Sequence, residues 1–174
     1  MTLSAAQAVE LCDALEAAGV RYWVIGGWGV DALLGRETRP HKDLDILATR
    51  ADFASLRTML EREGLTVTHV WKESRWIDDL GEPWPTAFVA DDPRGRSLDV
   101  HLVGLRRDGT LVQHFENPWR FPDDFAAAGT IGGRTIPCLS TVAQLQMHVG
   151  YTLPEEQRAD LELLRTHVTL RDAG

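Results

Sequence analysis

The stretch Ile25–Leu47 constrains the fold of this chain more than any other, because it opens with a glycine pair and closes with two aspartates. Asp43 and Asp45 are separated by one residue, Leu44, and are followed by Ile46. In a β-strand alternate side chains share a face, so the two carboxylates point together while Leu44 and Ile46 face the core. Two adjacent carboxylates repel each other unless a cation lies between them. The stretch therefore predicts a divalent-metal site beside a glycine turn suited to phosphate.

The glycine pair, Gly26 and Gly27, follows the apolar run Tyr22–Ile25 and precedes a predicted helix at Trp28–Leu34. Glycines allow a positive φ and a close approach of ligand to backbone, and the free N–H groups of a helix start attract anions. A glycine pair is also an ordinary connection between a strand and a helix. Only the downstream aspartates favour the functional interpretation.

The loop Arg36–Lys42 is polar and basic and delivers the chain to the aspartate pair. One interpretation is a solvated loop. The other is that Arg39, and less strongly His41, neutralises a triphosphate through charge-assisted hydrogen bonds. Both interpretations stay open at this stage.

A third carboxylate, Asp99, lies in a run in which apolar residues alternate with Asp99 and His101. The turn composition of Asp91–Gly95 predicts that Thr86–Ala90 and Ser97–Val103 pair as a hairpin. A solvent-facing acid on an antiparallel sheet is common, so Asp99 alone would indicate little. With the earlier pair, three carboxylates can hold two divalent ions, and magnesium suits such oxygen ligands.

The composition predicts one globular domain, with 44% hydrophobic and 25% charged residues among 174. The sequence contains no apolar run of about 18 residues and no signal-peptide pattern at its start, so we expect a cytoplasmic protein without membrane association. Cys12 and Cys138 are expected to be reduced core residues. The formal charge of −8 argues against binding nucleic acid through a basic surface and is compatible with a cationic small molecule.

The remaining elements place these motifs in an α+β fold with a mixed sheet flanked by helices. A capping box at Ser4 and Gln7 begins a first helix that extends to Ala18, and an Asp108-Gly109 turn predicts a second hairpin. The other predicted elements are a helix capped by Thr49 and Asp52, strands at Leu65–Val70 and Thr135–Cys138, a helix capped by Thr141 and Gln144 with Val142 in its apolar stripe, and a last helix beginning at Pro154. We expect a catalytic domain over 1–139 and a C-terminal helical section over 140–174.

Several enzyme classes are not indicated. The sequence lacks histidine and cysteine clusters with zinc spacing, and it lacks the G-x-x-x-x-G-K-[ST] phosphate loop.

The Gly26-Gly27 pair followed by Asp43-Leu44-Asp45 resembles the signature of the polymerase-β-like nucleotidyltransferase superfamily. More narrowly, five motifs in the same order are similar to those of the lincosamide nucleotidyltransferase family, with aminoglycoside 2''-nucleotidyltransferases as more distant relatives. These motifs are Y-W-V-I-G-G-W-G-V-D-A-L-L-G at 22–35, R-P-H-K-D-L-D-I at 39–46, L-D-V-H at 98–101, I-P-C-L-S at 136–140 and Q-L-Q-M-H-V-G-Y at 144–151.

The resemblance implies a polymerase-β-like fold and transfer of AMP from ATP to a hydroxyl of a small antibiotic, with release of pyrophosphate and two magnesium ions bound. Asp43 and Asp45 correspond to the metal-binding pair, and Asp99 to the third carboxylate, which binds metal and can act as general base. Gly26 and Gly27 correspond to the nucleotide turn.

On the same resemblance, Arg39 and His41 belong to the loop that approaches the phosphates. His101, His148 and Tyr151 correspond to positions near the acceptor, although each also fits an ordinary packing role. Arg75, in an irregular segment with several tryptophans, is a further candidate for the acceptor site. Relatives often have Pro where this chain has Leu102, a change that could reshape the acceptor pocket.

Three alternatives remain beside a lincosamide adenylyltransferase. The acceptor could be an aminoglycoside, or a protein or tRNA, although the chain has no basic tract for tRNA. The third alternative is an inactive nucleotide-binding protein. Because a chain of this size encloses a drug only shallowly, and because the resemblance implies it, we expect a homodimer.

Overall fold

The computed structural model describes residues 2–71, 75–77, 83–113, 119–148 and 152–172, with the backbone alone at 75–77, 83–85, 119 and 168–172. Within these ranges the α+β prediction is confirmed. The helices are α1 (Ala5–Ala17), α2 (Gly26–Leu34), α3 (Phe53–Glu63), α4 (Thr141–Met147) and α5 (Glu155–Asp172). The strands are β1 (Tyr22–Val24), β2 (Leu44–Thr49), β3 (Thr66–Val70), β4 (Arg75–Ile77), β5 (Pro83–Pro85), β6 (Ala87–Asp91), β7 (Ser97–Leu105), β8 (Leu111–Gln113), β9 (Trp119–Arg120), β10 (Ala126–Ile131) and β11 (Arg134–Leu139).

The main sheet is mixed and has the strand order β10-β11-β1-β2-β7-β6-β3, with β8 and β9 continuing from β7. β1 pairs with β11, and β2 with β7, in parallel, whereas the other described pairs in this sheet are antiparallel. Both predicted hairpins, β6–β7 and β7–β8, are confirmed. Their turns use Gly95 and Gly109 at positive φ, as glycine-containing turns require.

Helix α1 is set by local sequence. The Ser4 hydroxyl accepts a hydrogen bond from the Gln7 backbone N–H, and the Gln7 side chain accepts one from the Ser4 N–H, which completes the predicted capping box. The helix packs Leu11, Cys12 and Leu15 into the main core, where they are fully buried. Cys12 and Cys138 are both buried free thiols, as predicted.

Asp52 immediately precedes α3, as predicted, but its side chain does not cap the helix, and the predicted cap of α4 was wrong. A 3-10 turn at Arg50–Asp52 precedes α3, and the Asp52 carboxylate binds the Arg21 guanidinium and the Thr49 hydroxyl instead of the helix N–H groups. In α4 the cap is Ser140, whose hydroxyl accepts from the backbone N–H of Ala143. In both places the chosen cap lies within a few residues of the true helix start, where several side chains have capping chemistry.

The inward face of α4 also differs from the prediction. Val142 is 44% exposed, whereas Gln144 is fully buried against α2. Strand β10 was not predicted, because its A-A-A-G-T-I sequence has low strand propensity. It is held by six register pairs with β11, and Gly129 gives it close contact with α2, since a Cβ there would lie 2.7 Å from the Ala32 Cβ.

The C-terminal helix packs on the catalytic part of the chain. Pro154 precedes α5 as predicted, and Leu161 and Leu164 form a buried cluster with Val30 of α2. The boundary between the two predicted sections, at residues 139 and 140, stays a prediction. None of the helices in the described part of the chain combines the length and apolar character needed to cross a bilayer.

Candidate active site

The glycine pair forms the first turn of α2, so the prediction that this helix begins at Trp28 was wrong by two residues. Gly26 has a φ of +59°, and a Cβ on it would lie 2.8 Å from Cγ of Asp45. The Ile25 N–H donates to the backbone carbonyl of Asp45 at 2.9 Å. The start of α2, with its free N–H groups, is therefore fixed directly against an aspartate of β2.

The three predicted carboxylates meet in space. Asp45 on β2 and Asp99 on β7 are register partners in a parallel pair, so their side chains leave the same face of the sheet. Asp43 lies immediately before β2 and lines the same cavity. The sheet topology thus brings together residues from two distant stretches of the sequence.

The electrostatics of this group favour a bound cation. Burial, together with the carboxylates of Asp43 and Asp99, raises the pKa of Asp45 well above its usual range. Burial also raises the pKa of Asp43 and of Asp99, in the second case against the opposing effect of His101. Burial lowers the pKa of His101, although the Asp99 carboxylate opposes this. A divalent cation would relieve the repulsion among the three acids.

The donor set fits magnesium. Oδ1 of Asp99 is buried without a hydrogen-bond partner, and His101 Nε2 lies 3.5 Å away. No group of three or more His, Cys, Asp or Glu side chains in the described residues forms a ready-made metal cage. Magnesium is commonly held by one or two carboxylates together with phosphate oxygens and water. Asp43, Asp45 and Asp99 are the residues that would hold such ions.

A cavity of about 470 Å³ opens beside these acids. Its other walls come from the loop before β2, the residue after β3, and the helices α4 and α5. Besides the three aspartates, the residues that line the cavity include Gly26, Gly27, Arg39, Lys42, Trp71, His101, Met147, His148, Glu156 and Asp160. A concave site with a carboxylate floor, a helix N-terminus and basic side chains can bind a nucleotide next to a second small molecule.

His41 lies beneath the glycine turn, outside the cavity lining. Its Nε2 is 2.6 Å from Oδ2 of Asp31, and the two side chains are 3% and 2% exposed. The imidazole packs on the Trp28 indole with ring centroids 4.5 Å apart, and a Cβ on Gly27 would lie 2.6 Å from its Cε1. Asp31 also accepts hydrogen bonds from the Thr38 N–H and hydroxyl. This buried network shapes the turn from behind.

Arg39 joins the loop to α5. Its Nη2 donates to Oδ2 of Asp160 at 2.7 Å, and Nη1 lies 3.8 Å from Glu156. A Cβ on Gly27 would lie 2.7 Å from Nη2, so the guanidinium covers the glycine turn. The cavity therefore places a fixed cation where the phosphates are predicted to bind.

Comparison with known proteins agrees with this geometry. Residues 7–164 match the family described as aminoglycoside-2''-adenylyltransferase. The chain belongs to this family. It is therefore a nucleotidyltransferase, as the sequence motifs indicated.

Individual relatives point in the same direction. This nucleotidyltransferase is 32% identical over 160 residues to a lincosamide resistance protein of Staphylococcus haemolyticus, covering 90% of this chain and 91% of that one. It is 36% identical over 131 residues to a 2''-aminoglycoside nucleotidyltransferase of Klebsiella pneumoniae, covering 75% and 64%. The crystal structure of a lincosamide antibiotic adenylyltransferase with lincomycin bound matches with a TM-score of 0.79 at 29% identity, covering 95% and 98%.

The structure brings together most of the predicted site residues of this nucleotidyltransferase. The glycine pair, Arg39, the three aspartates, His101 and His148 all line the cavity. His148 also bonds through Nδ1 to the Gln144 carbonyl, 2.7 Å away. Tyr151 lies outside the described residues, as does the side chain of Arg75, whose backbone is in β4.

Sequence reasoning missed Asp31, Trp71, Met147 and two acids of α5, Glu156 and Asp160. A signal existed only for Asp31 and Met147, which lie inside the quoted motifs. The α5 acids look like the solvated face of an ordinary helix, and only packing brings them to the cavity.

Proposed function

We propose that this nucleotidyltransferase transfers AMP from ATP to a hydroxyl of a small antibiotic, a lincosamide in the first place, and releases pyrophosphate. The main observation that supports this proposal is that Asp43, Asp45 and Asp99 line one cavity together with the two glycines that begin helix α2. The lincosamide resistance protein at 32% identity over 90% of the chain supports the choice of acceptor.

The donor half of the site is built for a triphosphate. The N–H groups at the start of α2 and the Arg39 guanidinium face the position of the phosphates. Magnesium held by the three aspartates would neutralise phosphate charge and favour ionisation of the attacking hydroxyl.

The acceptor half adjoins Asp99 and His101. In the proposed reaction the antibiotic hydroxyl attacks the α-phosphorus of ATP, its proton passes to the Asp99 carboxylate, and the bond to the leaving pyrophosphate breaks. Trp71, Met147 and His148 supply the apolar and aromatic wall against which a drug can pack.

An aminoglycoside is the second candidate acceptor. The family description and the Klebsiella pneumoniae relative both support it. The same assay distinguishes the two acceptor classes.

The test mixes the protein with ATP, magnesium and lincomycin, clindamycin or kanamycin, one drug at a time. With a lincosamide we expect release of pyrophosphate and a drug mass increased by one adenylyl group, which is AMP less one water. Asp123→Asn, an exposed acid on the loop before β10, is the matched control and should retain full activity. No adduct with any of the drugs would contradict the antibiotic assignment.

We also retain the homodimer as part of this proposal. The supporting observation is that Trp71 lines the cavity while remaining 42% exposed, so the site is open on this side. Light scattering that shows a monomer at the enzyme's working concentration would contradict it.

A further inference from the structure

An ion pair between the loop before β2 and α5 borders the cavity. Arg39 Nε donates to Oδ1 of Asp160 at 3.1 Å, while Nη2 donates to Oδ2 at 2.7 Å. This is the two-pronged geometry in which a guanidinium and a carboxylate hold each other in one orientation. The Asp160 side chain is 6% exposed and that of Arg39 is 26% exposed, so the acid is enclosed and the arginine is open to the cavity.

The Arg39 guanidinium retains binding capacity. Of its five N–H groups, Nε–H and one on Nη2 donate to Asp160, and one on Nη1 donates to the Pro40 carbonyl at 3.2 Å. The other two, one on each terminal nitrogen, have no acceptor within hydrogen-bond distance among the described residues, although Oε2 of the exposed Glu156 lies 3.8 Å from Nη1. They belong to a group that lines the cavity directly above Gly27.

Asp160 is an unexpected residue beside a phosphate site, because its negative charge opposes the binding of another anion. A benefit must offset that cost. A free arginine loses side-chain conformational entropy when it is fixed by a ligand, and a carboxylate that already holds the guanidinium removes much of this loss from the binding step. α5 can provide such a fixed point because Leu161 and Leu164 anchor it to Val30 of α2.

We propose that Asp160 is a positioning residue, which holds the Arg39 guanidinium over Gly27 so that its two remaining N–H groups donate to the phosphates of the nucleotide. The inference rests on the proposed function for its ligand and deepens it. It gives the C-terminal helix a part in nucleotide binding, although α5 follows the three metal-site aspartates by more than fifty residues. The competing explanation is that the pair only ties α5 to the loop.

A double-mutant cycle separates the two explanations. Binding of α,β-methylene-ATP, which resists transfer, is measured by calorimetry in magnesium for the wild type, Asp160→Asn, Arg39→Gln and the double variant. Glu162→Gln makes the same charge change at an exposed position of the same helix and serves as the control. Melting temperatures show which variants are folded at the temperature of the titration.

A positioning role predicts a defined pattern. Arg39→Gln weakens binding about tenfold, the effect of one charge-assisted hydrogen bond. Asp160→Asn weakens it about fivefold in the wild-type background and less than twofold in the Arg39→Gln background, because Asp160 acts only through Arg39. Glu162→Gln leaves binding unchanged.

Other results would overturn the inference. Unchanged or tighter binding by Asp160→Asn would show that Asp160 does not position Arg39. An equal loss in both backgrounds would show a general structural effect. If Asp160→Asn does not fold, Arg39→Lys replaces it in the test, because lysine keeps the positive charge but lacks the two-pronged guanidinium. We expect this variant to bind the analogue about fivefold more weakly. Binding equal to that of the wild type would refute the positioning role.

The experiments distinguish a failure of the role proposed for Asp160 from a failure of the proposed function. A wild-type protein that binds the analogue and shows the expected cycle, but modifies no antibiotic, overturns the acceptor assignment alone. Equal binding by all variants overturns the roles of Asp160 and Arg39 in nucleotide binding, but it leaves the transfer of AMP to an antibiotic untouched. A wild-type protein that does not bind the analogue overturns both.

Discussion

Asp45 and Asp99 face each other as register partners on the parallel strands β2 and β7. Burial raises the pKa of both carboxylates, and neighbouring charges add to this effect, those of Asp43 and Asp99 at Asp45 and that of Asp43 at Asp99. In the proposed metal site, a divalent cation bound between these carboxylates would relieve the repulsion.

Asp45→Asn should reduce turnover by at least about a hundredfold, because a catalytic metal ion contributes several kcal/mol to transition-state stabilisation. The same change should raise the melting temperature in EDTA. The pKa of Asp45 is raised in the folded state, so its negative charge destabilises the metal-free protein at neutral pH. This destabilisation disappears as the pH falls through the raised pKa, because the carboxyl group is then protonated. Thermal unfolding with and without magnesium measures this. A fully active variant would contradict the metal site.

Gly26→Ala should destabilise the protein by about 1 to 3 kcal/mol more than Gly19→Ala. Both glycines have positive φ, but a Cβ at position 26 would overlap the Asp45 carboxylate, whereas position 19 has no atom within 4 Å. Urea unfolding compares the two variants, and the difference isolates the overlap from backbone strain. Equal losses would show that the contact with Asp45 is not tight.

Asp31→Ala should lower the free energy of unfolding by about 3 kcal/mol, because it leaves the buried His41 ring and the Thr38 N–H without their partner. Nucleotide binding should weaken as well, since the His41 ring supports Gly27 from behind. Glu37→Ala, an exposed acid in the same loop, is the control and should change stability by less than about 0.5 kcal/mol. Urea unfolding and calorimetry give both quantities. A loss no larger than that of the control would refute a structural role for the pair.

Arg96→Met should cost about 3 kcal/mol, because the buried Asp92 carboxylate, 2.7 Å from Arg96 Nε, loses its buried counter-charge and keeps only that of the exposed Arg94, 3.3 Å away. Arg120→Met removes an exposed pair with Asp123 and should cost less than about 1 kcal/mol. Chemical denaturation compares the two variants. Similar losses would show that burial does not strengthen the first pair.

The Asp92–Arg96 pair also predicts a pH dependence. Burial alone would raise the pKa of Asp92, but hydrogen bonds from Arg96 and its charge outweigh burial and lower it. A carboxylate with a lowered folded-state pKa stabilises the protein above its unfolded pKa of about 4, and this contribution is lost as pH falls through the folded value. Asp92→Asn should therefore flatten the acid limb of the stability profile below about pH 4. An unchanged acid limb would contradict the assignment.

Features set by neighbours in sequence were predictable. The Ser4–Gln7 capping box begins α1, and the Asp108-Gly109 turn joins β7 to β8, because each depends on contacts within a few residues. The three site aspartates were also recognisable, since alternation in a strand determines which side chains share a face. The glycine pair was recognised, although its helix starts two residues earlier than predicted.

Features that depend on distant packing were missed. β10 is a strand because β11 pairs with it along six residues, not because alanines favour strands. The exposed Val142 and the buried Gln144 show that the inward face of α4 is rotated from the expected one, since contact with α2 determines that face. His41 was expected among the phosphate ligands but lies behind the turn, bonded to Asp31. Its role in binding stays a prediction.

By itself, the sequence determined the chemistry available to this protein: two acids on strands and a third just before one of them, a glycine-started helix and a basic loop, each encoded over a few residues. The tertiary structure decided how that chemistry is assembled. Parallel pairing of β2 with β7 places Asp45 beside Asp99, and the packing of α5 on α2 brings Asp160 to Arg39. Such contacts depend on the burial of apolar surface from distant segments, which no local pattern of residues records.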